Sequence, residues 1–217
     1  PPRSTLFPYT TLFRSDLSLE ASEEIGDQQS VCTVLGNLSL LCHATGENEI
    51  ARDYGLQALR IATEIGDRDT VGYDYAYLGH ALLGLSRLDE AADFYRRSLE
   101  LRLELGQEDL TAESRAGLAR VLLAQGEKTA ASEQAGLLWA YLETHPGVGG
   151  AEEPLQVYLS CFQVLKTLRD PRAAELLATA HTLLQTQAAR IDDPLLRTSF
   201  LENVPAHREI VRAWKLL

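Results

Sequence analysis

The sequence predicts an all-α protein, a right-handed superhelix of antiparallel helix pairs that ends in a C-terminal capping helix pair. Three observations carry this prediction. The motif EIGD at 24–27 returns at 64–67 and again as ELGQ at 104–107, each time after 40 residues. Apolar residues recur at helical spacing within each repeat. Glycines or small polar residues occupy the positions where helices would end. A fixed period of this length is typical of solenoids.

The repeat period also connects positions inside the predicted helices. Further columns at the same offset of 40 residues are Leu38, Leu78 and Leu118; Ala51, Ala91 and Ala131; and Gly46, Ser86 and Gly126. The Leu column lies on the first helix of each pair and the Ala column on the second, with the Gly or Ser column in the turn between them. The alanines allow close approach of paired helices, so a bulky replacement there would overpack the contact.

The N-terminal residues differ in character from everything that follows. Residues 5–15, TLFPYTTLFRS, read as the translation of a short-read sequencing adapter. We therefore expect residues 1–15 to be a non-native, disordered tail and exclude them from fold reasoning. Residues 16–27 align with 97–106 as the second helix of an earlier repeat. Since the first helix of that repeat is missing, we expect a C-terminal fragment of a longer protein.

The remaining chain divides into repeats, one long loop and a cap. Residues 28–144 hold three repeats of about 40 residues. The Gly- and Pro-rich segment 145–153 predicts a loop. Residues 154–191 form a fourth, divergent repeat, and residues 192–217 form a cap for the last hydrophobic face. Within the cap, Asp193 followed by Pro194 predicts a helix start, and a last helix follows Pro205.

The repeat pattern resembles the tetratricopeptide repeat. The second repeat carries the family signature best, at Tyr75, Leu78, Gly79, Leu82, Ser86, Ala91, Tyr95 and Ser98. The resemblance covers residues 16–217, and it implies a superhelix whose first helices line a concave groove. The segment SFLENVPAHREIV also resembles the end of helical-repeat regions in bacterial signalling proteins. In those proteins the repeats follow an NTPase, a transcription activator or a nucleotide cyclase.

Composition limits the partners that we expect. The net charge of −11 should repel nucleic acid and anionic membranes. No apolar run is long enough for a transmembrane helix. The odd number of cysteines, at Cys32, Cys42 and Cys161, favours reduced thiols in the cytoplasm over disulfides.

Motifs for chemistry are missing from the sequence. It contains no HExxH or CxxC spacing for a metal and no GxxxxGK[ST] or GxGxxG phosphate loop. The run Gly147–Gly150 lacks the lysine and the preceding strand that a phosphate loop needs. We therefore predict a protein that is not an enzyme, with no catalytic residues, no cofactor and no metal. A cysteine nucleophile with a remote histidine stays open as a hydrolase alternative.

The groove implied by the resemblance supplies the candidate binding residues. They are the side chains of the first helices that point away from the paired helix: Thr33, Leu40, His43, Tyr73, His80, Leu83, Glu113, Arg120, Leu123, Gln156, Gln163 and Lys166. Their mixed chemistry suits a protein or peptide ligand, either from a separate protein or from an intramolecular segment. Tyr73, His80 and Arg120 are the strongest candidates, because tyrosine and arginine dominate binding energy when buried.

The resemblance argues against a chaperone-binding role and leaves two other functions open. Chaperone-binding members of the family grip a terminal carboxylate with polar residues, whereas the matching positions here are Gly36, Ala76 and Ala116. The predicted function is a protein-interaction scaffold in a larger bacterial signalling or regulatory protein. The alternative is an effector-sensing module that controls an upstream NTPase or cyclase domain.

Overall fold

The structure, a computed structural model, describes residues 25–148, 151 and 153–216, and all regular elements in these residues are helices. The predicted tail at 1–15 and most of the predicted helix at 16–27 lie outside the described residues. The ten α-helices are α1 (Gln28–Thr45), α2 (Asn48–Glu64), α3 (Arg68–Gly84), α4 (Leu88–Glu104), α5 (Ala112–Ala124), α6 (Lys128–Thr144), α7 (Pro154–Thr167), α8 (Arg172–Ala188), α9 (Pro194–Glu202) and α10 (Pro205–Trp214). A 3₁₀ turn, Glu108–Leu110, precedes α5.

The helices pack in consecutive pairs, which confirms the predicted all-α solenoid. The pairs α1–α2, α3–α4, α5–α6 and α7–α8 each form one repeat, and α2–α3 and α4–α5 contacts join successive repeats. The first helices also contact one another in series, α1 with α3, α3 with α5 and α5 with α7. These four helices therefore form a continuous inner layer. The handedness of the superhelix stays a prediction.

The EIGD motif explains where the first helices begin. The carboxylate of Asp27 accepts a hydrogen bond from the Ser30 backbone N–H at 3.2 Å, and Asp67 accepts from Thr70 N–H at 3.1 Å. Both are N-caps that satisfy a free donor of the first helical turn. In the third copy this position is Gln107, which makes no such cap. Helix α5 consequently starts later, after the 3₁₀ turn, and has 13 residues where α3 has 17.

The predicted turn column has the left-handed backbone that the sequence required. Gly46, Ser86 and Gly126 have φ angles of 87°, 60° and 82°. Glycine adopts this region without steric cost, whereas Ser86 does so with a Cβ atom. The column therefore ends the first helix of each of three repeats in the same way.

One hydrophobic cluster runs through the C-terminal two-thirds of the array. It extends from Leu82 on α3 to Ile210 on α10. The cap joins this cluster because Ala206 and Ile210 are buried against it, and α10 packs on both α7 and α8. The last hydrophobic face of the repeats is thus covered by α10, with α9 lying against α8 and α10.

Candidate functional site

A cavity of about 520 Å³ lies between the inner helix layer and the cap. We call it the groove cavity. Its lining comes from α1, α3, α5 and α7 on one side, and from the end of α8 and the α9–α10 connection on the other. Six of the predicted groove residues line it: Leu40, His43, His80, Glu113, Arg120 and Gln156. The fold therefore brings together residues that lie up to 116 positions apart in sequence, counted from Leu40 to Gln156.

Two stacked imidazoles form part of the cavity wall. The rings of His43 and His80 lie 5.6 Å apart between centroids, with an interplanar angle of 15°. The Nδ1 atom of each ring contacts a residue other than the neighbouring histidine. The Nδ1 of His43 lies 2.7 Å from Asn48 Oδ1, and the Nδ1 of His80 lies 2.8 Å from Tyr95 Oη. The two rings are therefore held in place from behind by α2 and α4.

These partners determine which ring nitrogen carries the hydrogen. The Asn48 side chain donates through Nδ2 to Gly46 O, so its Oδ1 is an acceptor and His43 Nδ1 donates to it. Tyr95 is fully buried, and among the described residues the acceptor for its hydroxyl is His80 Nδ1. A buried hydroxyl needs an acceptor. Tyr95 therefore donates to His80 Nδ1, which leaves the hydrogen of the neutral ring on Nε2.

The sequence makes room for Tyr95 with two glycines. A Cβ atom at Gly79 would lie 2.6 Å from the Tyr95 ring, and a Cβ atom at Gly117 would lie 2.2 Å from it. Both distances are far shorter than any van der Waals contact. Gly79 on α3 and Gly117 on α5 thus let the Tyr95 ring pass between two first helices and reach His80.

Both histidines are neutral at physiological pH. Burial lowers the pKa of His80 to about 3, and the neighbouring His43 and Arg120 lower it further in the same direction. Burial also lowers the pKa of His43, with Arg120 adding to the effect and the Asn48 hydrogen bond opposing it. The pair consequently offers neutral donor and acceptor groups to the cavity.

Arg120 is the lone cation of the cavity wall in the described part of the chain. It lies one repeat after His80, in the same column, and is half-buried. Within the described residues its guanidinium makes no hydrogen bond and no ion pair. A guanidinium is always charged and presents a planar fork of N–H donors that matches a carboxylate. Arg120 is therefore available to an anionic group from outside.

The remaining polar lining lies towards the start of α7. Glu113 Oε1 accepts a hydrogen bond from the Glu153 backbone N–H at 3.1 Å. Gln156 Nε2 donates to Ser160 Oγ at 3.1 Å. Glu113 is seven residues before Arg120 on α5, which corresponds to about 10 Å along the helix axis. The cavity wall thus contains both acidic and basic side chains.

The other predicted groove residues lie outside the cavity lining. Tyr73 is the clearest difference, because its ring lies 4.0 Å from the guanidinium carbon of Arg102. Arg102 is buried and pairs with Asp69 at 2.7 Å, so Tyr73 covers a structural ion pair.

Lys166 lies over the Phe162 ring, and Leu83 packs against the core. Thr33 is exposed and donates to its own helix. Leu123 packs against the core, and the backbone carbonyl of Gln163 accepts a hydrogen bond from the Thr167 hydroxyl.

Sequence reasoning missed the side of the cavity that the cap contributes. Phe200, Val204, Pro205, Ala206 and His207 all line it. The Phe200 and His207 rings lie 4.3 Å apart, and His207 Nδ1 donates to Phe200 O at 2.8 Å. The sequence identified a cap over the last hydrophobic face. No periodicity indicated that the α9–α10 connection would also face α1 and α3.

The cysteines of the hydrolase alternative are buried and do not line the cavity. Burial raises the pKa of Cys161 to about 12, and burial raises the pKa of Cys32 as well. Both thiols therefore stay protonated at neutral pH and are poor nucleophiles. Across the described residues, no group of three or more His, Cys, Asp or Glu side chains is arranged to hold a metal ion.

None of the helices in the described residues combines the length and the apolar character that crossing a bilayer requires.

Comparisons with known proteins show the fold and no family. No model of a known protein family matches the chain, and no curated protein matches it. Among solved structures, the chain is similar to the crystal structure of BtubC (BKLC) from P. vanneervenii, with 20% sequence identity and a TM-score of 0.65. The match covers 96% of this chain and 85% of BtubC. An identity this low indicates a shared helical architecture alone.

Proposed function

We propose that this chain is a tetratricopeptide-like interaction scaffold, which binds a peptide or helical segment of a protein in the groove formed by α1, α3, α5 and α7. In this proposal it is a non-catalytic, cytoplasmic arm of a larger bacterial signalling or regulatory protein. The observation that carries the proposal is the groove cavity itself, where six predicted groove residues from four separate helices converge. The repeated positions 40, 80 and 120 supply Leu, His and Arg, a mixture suited to protein recognition.

The cavity has the composition of a recognition site. Apolar walls from Leu40, Leu155 and Phe200 provide surface that a ligand side chain can bury. Histidine, arginine and glutamine side chains supply directional hydrogen bonds. A rigid helix layer holds these groups, so little conformational entropy is lost on binding.

The first prediction is that peptide ligands protect the inner helix layer. Random dodecapeptides displayed on phage are selected against the purified chain, and the consensus peptide is synthesised. We expect hydrogen exchange to slow in α1, α3, α5 and α7 when this peptide binds, and to change little in α2, α4 and α6. Selective protection of the second helices, or a failure to select any peptide, would contradict the proposal.

A matched pair of variants adds a control. Leu40→Trp places a bulky ring in the groove cavity, and Leu103→Trp places the same ring on α4, where Leu103 is 47% exposed. Fluorescence anisotropy with labelled consensus peptide should show weaker binding for the first variant alone. Equal affinities would exclude the cavity as the binding surface.

The size of the cavity favours a second candidate function, the effector-sensing module. A volume of about 520 Å³ falls within the range of small-molecule sites. In this case a small effector occupies the groove and alters how the repeats contact an upstream NTPase or cyclase domain. Thermal-shift screening with metabolite collections distinguishes the two functions, because a small effector should stabilise the chain without any peptide.

A further inference from the structure

The groove cavity contains a cation without a partner, and this feature specifies the chemistry of its ligand. We propose that Arg120 and His80 together bind an acidic side chain of the partner peptide. This inference rests on the proposed function and deepens it.

His80 and Arg120 occupy the same repeat column on the adjacent helices α3 and α5, and both line the cavity. Helices α3 and α5 contact each other, so the two side chains border neighbouring parts of one cavity. A carboxylate placed between these two side chains can therefore contact both.

Each of the two side chains has N–H donors for a ligand. The Tyr95 hydroxyl occupies His80 Nδ1, so the ring presents an N–H at Nε2. Arg120 presents a planar fork of N–H donors with no acceptor among the described residues. A carboxylate has two acceptor oxygens and matches such a fork in a bidentate manner. Donors from both residues then converge on one anionic group.

Two acidic residues, Glu113 and Glu153, also line the cavity, and the Glu113 carboxylate accepts a hydrogen bond from the Glu153 backbone N–H. Seven residues of α5 separate Glu113 from Arg120, about 10 Å along the axis. A ligand carboxylate in direct contact with Arg120 therefore lies nearer to that cation than to Glu113, and its attraction to Arg120 exceeds its repulsion from Glu113 because both interactions weaken with distance.

The experiment compares acidic and neutral versions of one consensus peptide on the full chain. We expect the selected peptides to contain Asp or Glu at one fixed position. Replacing that residue by Asn or Gln should weaken binding roughly tenfold or more, as loss of a charge-assisted hydrogen bond implies. Arg120→Gln should weaken the acidic peptide similarly and remove the preference between the two versions. Arg120→Glu should bind a Lys version of the peptide better than the acidic one.

The control variant is Arg96→Gln, because Arg96 is an exposed arginine on α4, away from the groove cavity. It changes the net charge by the same amount and should leave peptide affinity unchanged. Urea unfolding of each variant verifies that the repeats remain folded. A consensus without an acidic residue, or affinity that Arg120→Gln leaves intact, would overturn the inference while the groove could still bind peptides.

A second measurement tests the anion site independently of any selected peptide. N-acetylglutamate and its neutral counterpart N-acetylglutamine are titrated into ¹⁵N-labelled protein by NMR. The acid should shift the His80 ring and Arg120 side-chain resonances, and the amide should not. A response to the acid with no selected peptide would overturn the scaffold function and retain the anion site. Equal or absent responses to both compounds would overturn the site.

Discussion

Asp74 is a residue whose chemistry depends entirely on where α3 places it. It is fully buried, and both of its carboxylate oxygens lack a hydrogen-bond partner among the described residues. Gly36 makes room for it, since a Cβ atom there would lie 3.0 Å from Asp74 Oδ1. Burial raises the pKa of Asp74 to about 8, and the charge of Asp67 adds to this effect. The side chain is therefore held as a neutral acid at pH 7.

The prediction at this scale is a pH-dependent loss of stability. A carboxyl group whose folded pKa lies above its unfolded value stabilises the fold fully below the unfolded pKa, and this contribution is lost as pH rises through the folded pKa. Between the ordinary value of 3.8 and about 8, Asp74 should reduce the free energy of unfolding as pH increases. The slope is about 1.4 kcal/mol per pH unit.

Asp74→Asn isolates this effect, because it removes the ionisation and keeps the size of the side chain. Urea unfolding of both proteins between pH 5 and pH 9 gives the difference in free energy of unfolding. We expect Asp74→Asn to gain stability relative to the parent chain as pH rises. Depressed histidine pKa values act in both proteins alike and cancel in the difference. A difference that is independent of pH would contradict the prediction.

At the scale of the element, the contact between α3, α4 and α5 depends on small residues. Tyr95 is fully buried against Gly79 and Gly117, and Ala91 on the same helix is also fully buried. An added side chain at any of these positions has no free space to occupy. This contact between the three helices, which we call the Tyr95 seam, positions Tyr95, and Tyr95 in turn positions His80. The same residues therefore serve helix packing and the candidate site.

Overpacking this seam should destabilise the protein. Gly117→Ala places a Cβ atom 2.2 Å from the Tyr95 ring, and such insertions typically cost about 1–3 kcal/mol. Ala91→Trp should cost at least as much, because it inserts an entire indole. Both changes are measured as the loss of free energy of unfolding in urea.

Gly136→Ala is the matched control on α6. The nearest atom to its added Cβ is Arg172 Nη1, at 3.9 Å. Alanine favours the helix over glycine by about 0.5–1 kcal/mol, so this variant should be more stable than the parent chain. If Gly117→Ala proved as stable as Gly136→Ala, the close packing described for Tyr95 would be wrong.

At the scale of the whole molecule, the cap both completes the hydrophobic core and closes the groove cavity. Ile210 is fully buried in the main cluster, whereas Leu195 at the start of α9 is 81% exposed. In a repeat array each unit contacts its neighbours, so the loss of one contact acts most strongly on nearby units.

Ile210→Ala should therefore loosen the C-terminal end of the array. Removing a buried isoleucine side chain costs about 2–5 kcal/mol. Native-state hydrogen exchange should show the largest loss of protection in α7, α8 and α10, and a smaller loss in α1 and α2. Leu195→Ala, at an exposed position, should leave exchange unchanged. A uniform loss of protection along the chain would contradict the one-dimensional description of the array.

The sequence by itself determined the helix pairs and their order. The 40-residue offset placed the first three repeats, and the capping aspartates and left-handed turn residues set helix ends. These signals are local: an N-cap, a turn residue or a helical period involves residues within a few positions of one another. The same period placed His80 and Arg120 in one column, because consecutive first helices lie side by side.

Only the tertiary structure decided which of these side chains face the cavity and what surrounds them. Tyr73 belongs to the same predicted set of groove residues as His80. It nevertheless covers the Arg102–Asp69 ion pair, because the Arg102 side chain extends from α4 and packs against the Tyr73 ring. Phe200 and His207 enter the cavity because α10 docks on α7 and α8. Asp74 becomes a neutral acid only through burial. Such outcomes depend on contacts between distant segments, for which the repeat pattern carries no local signal.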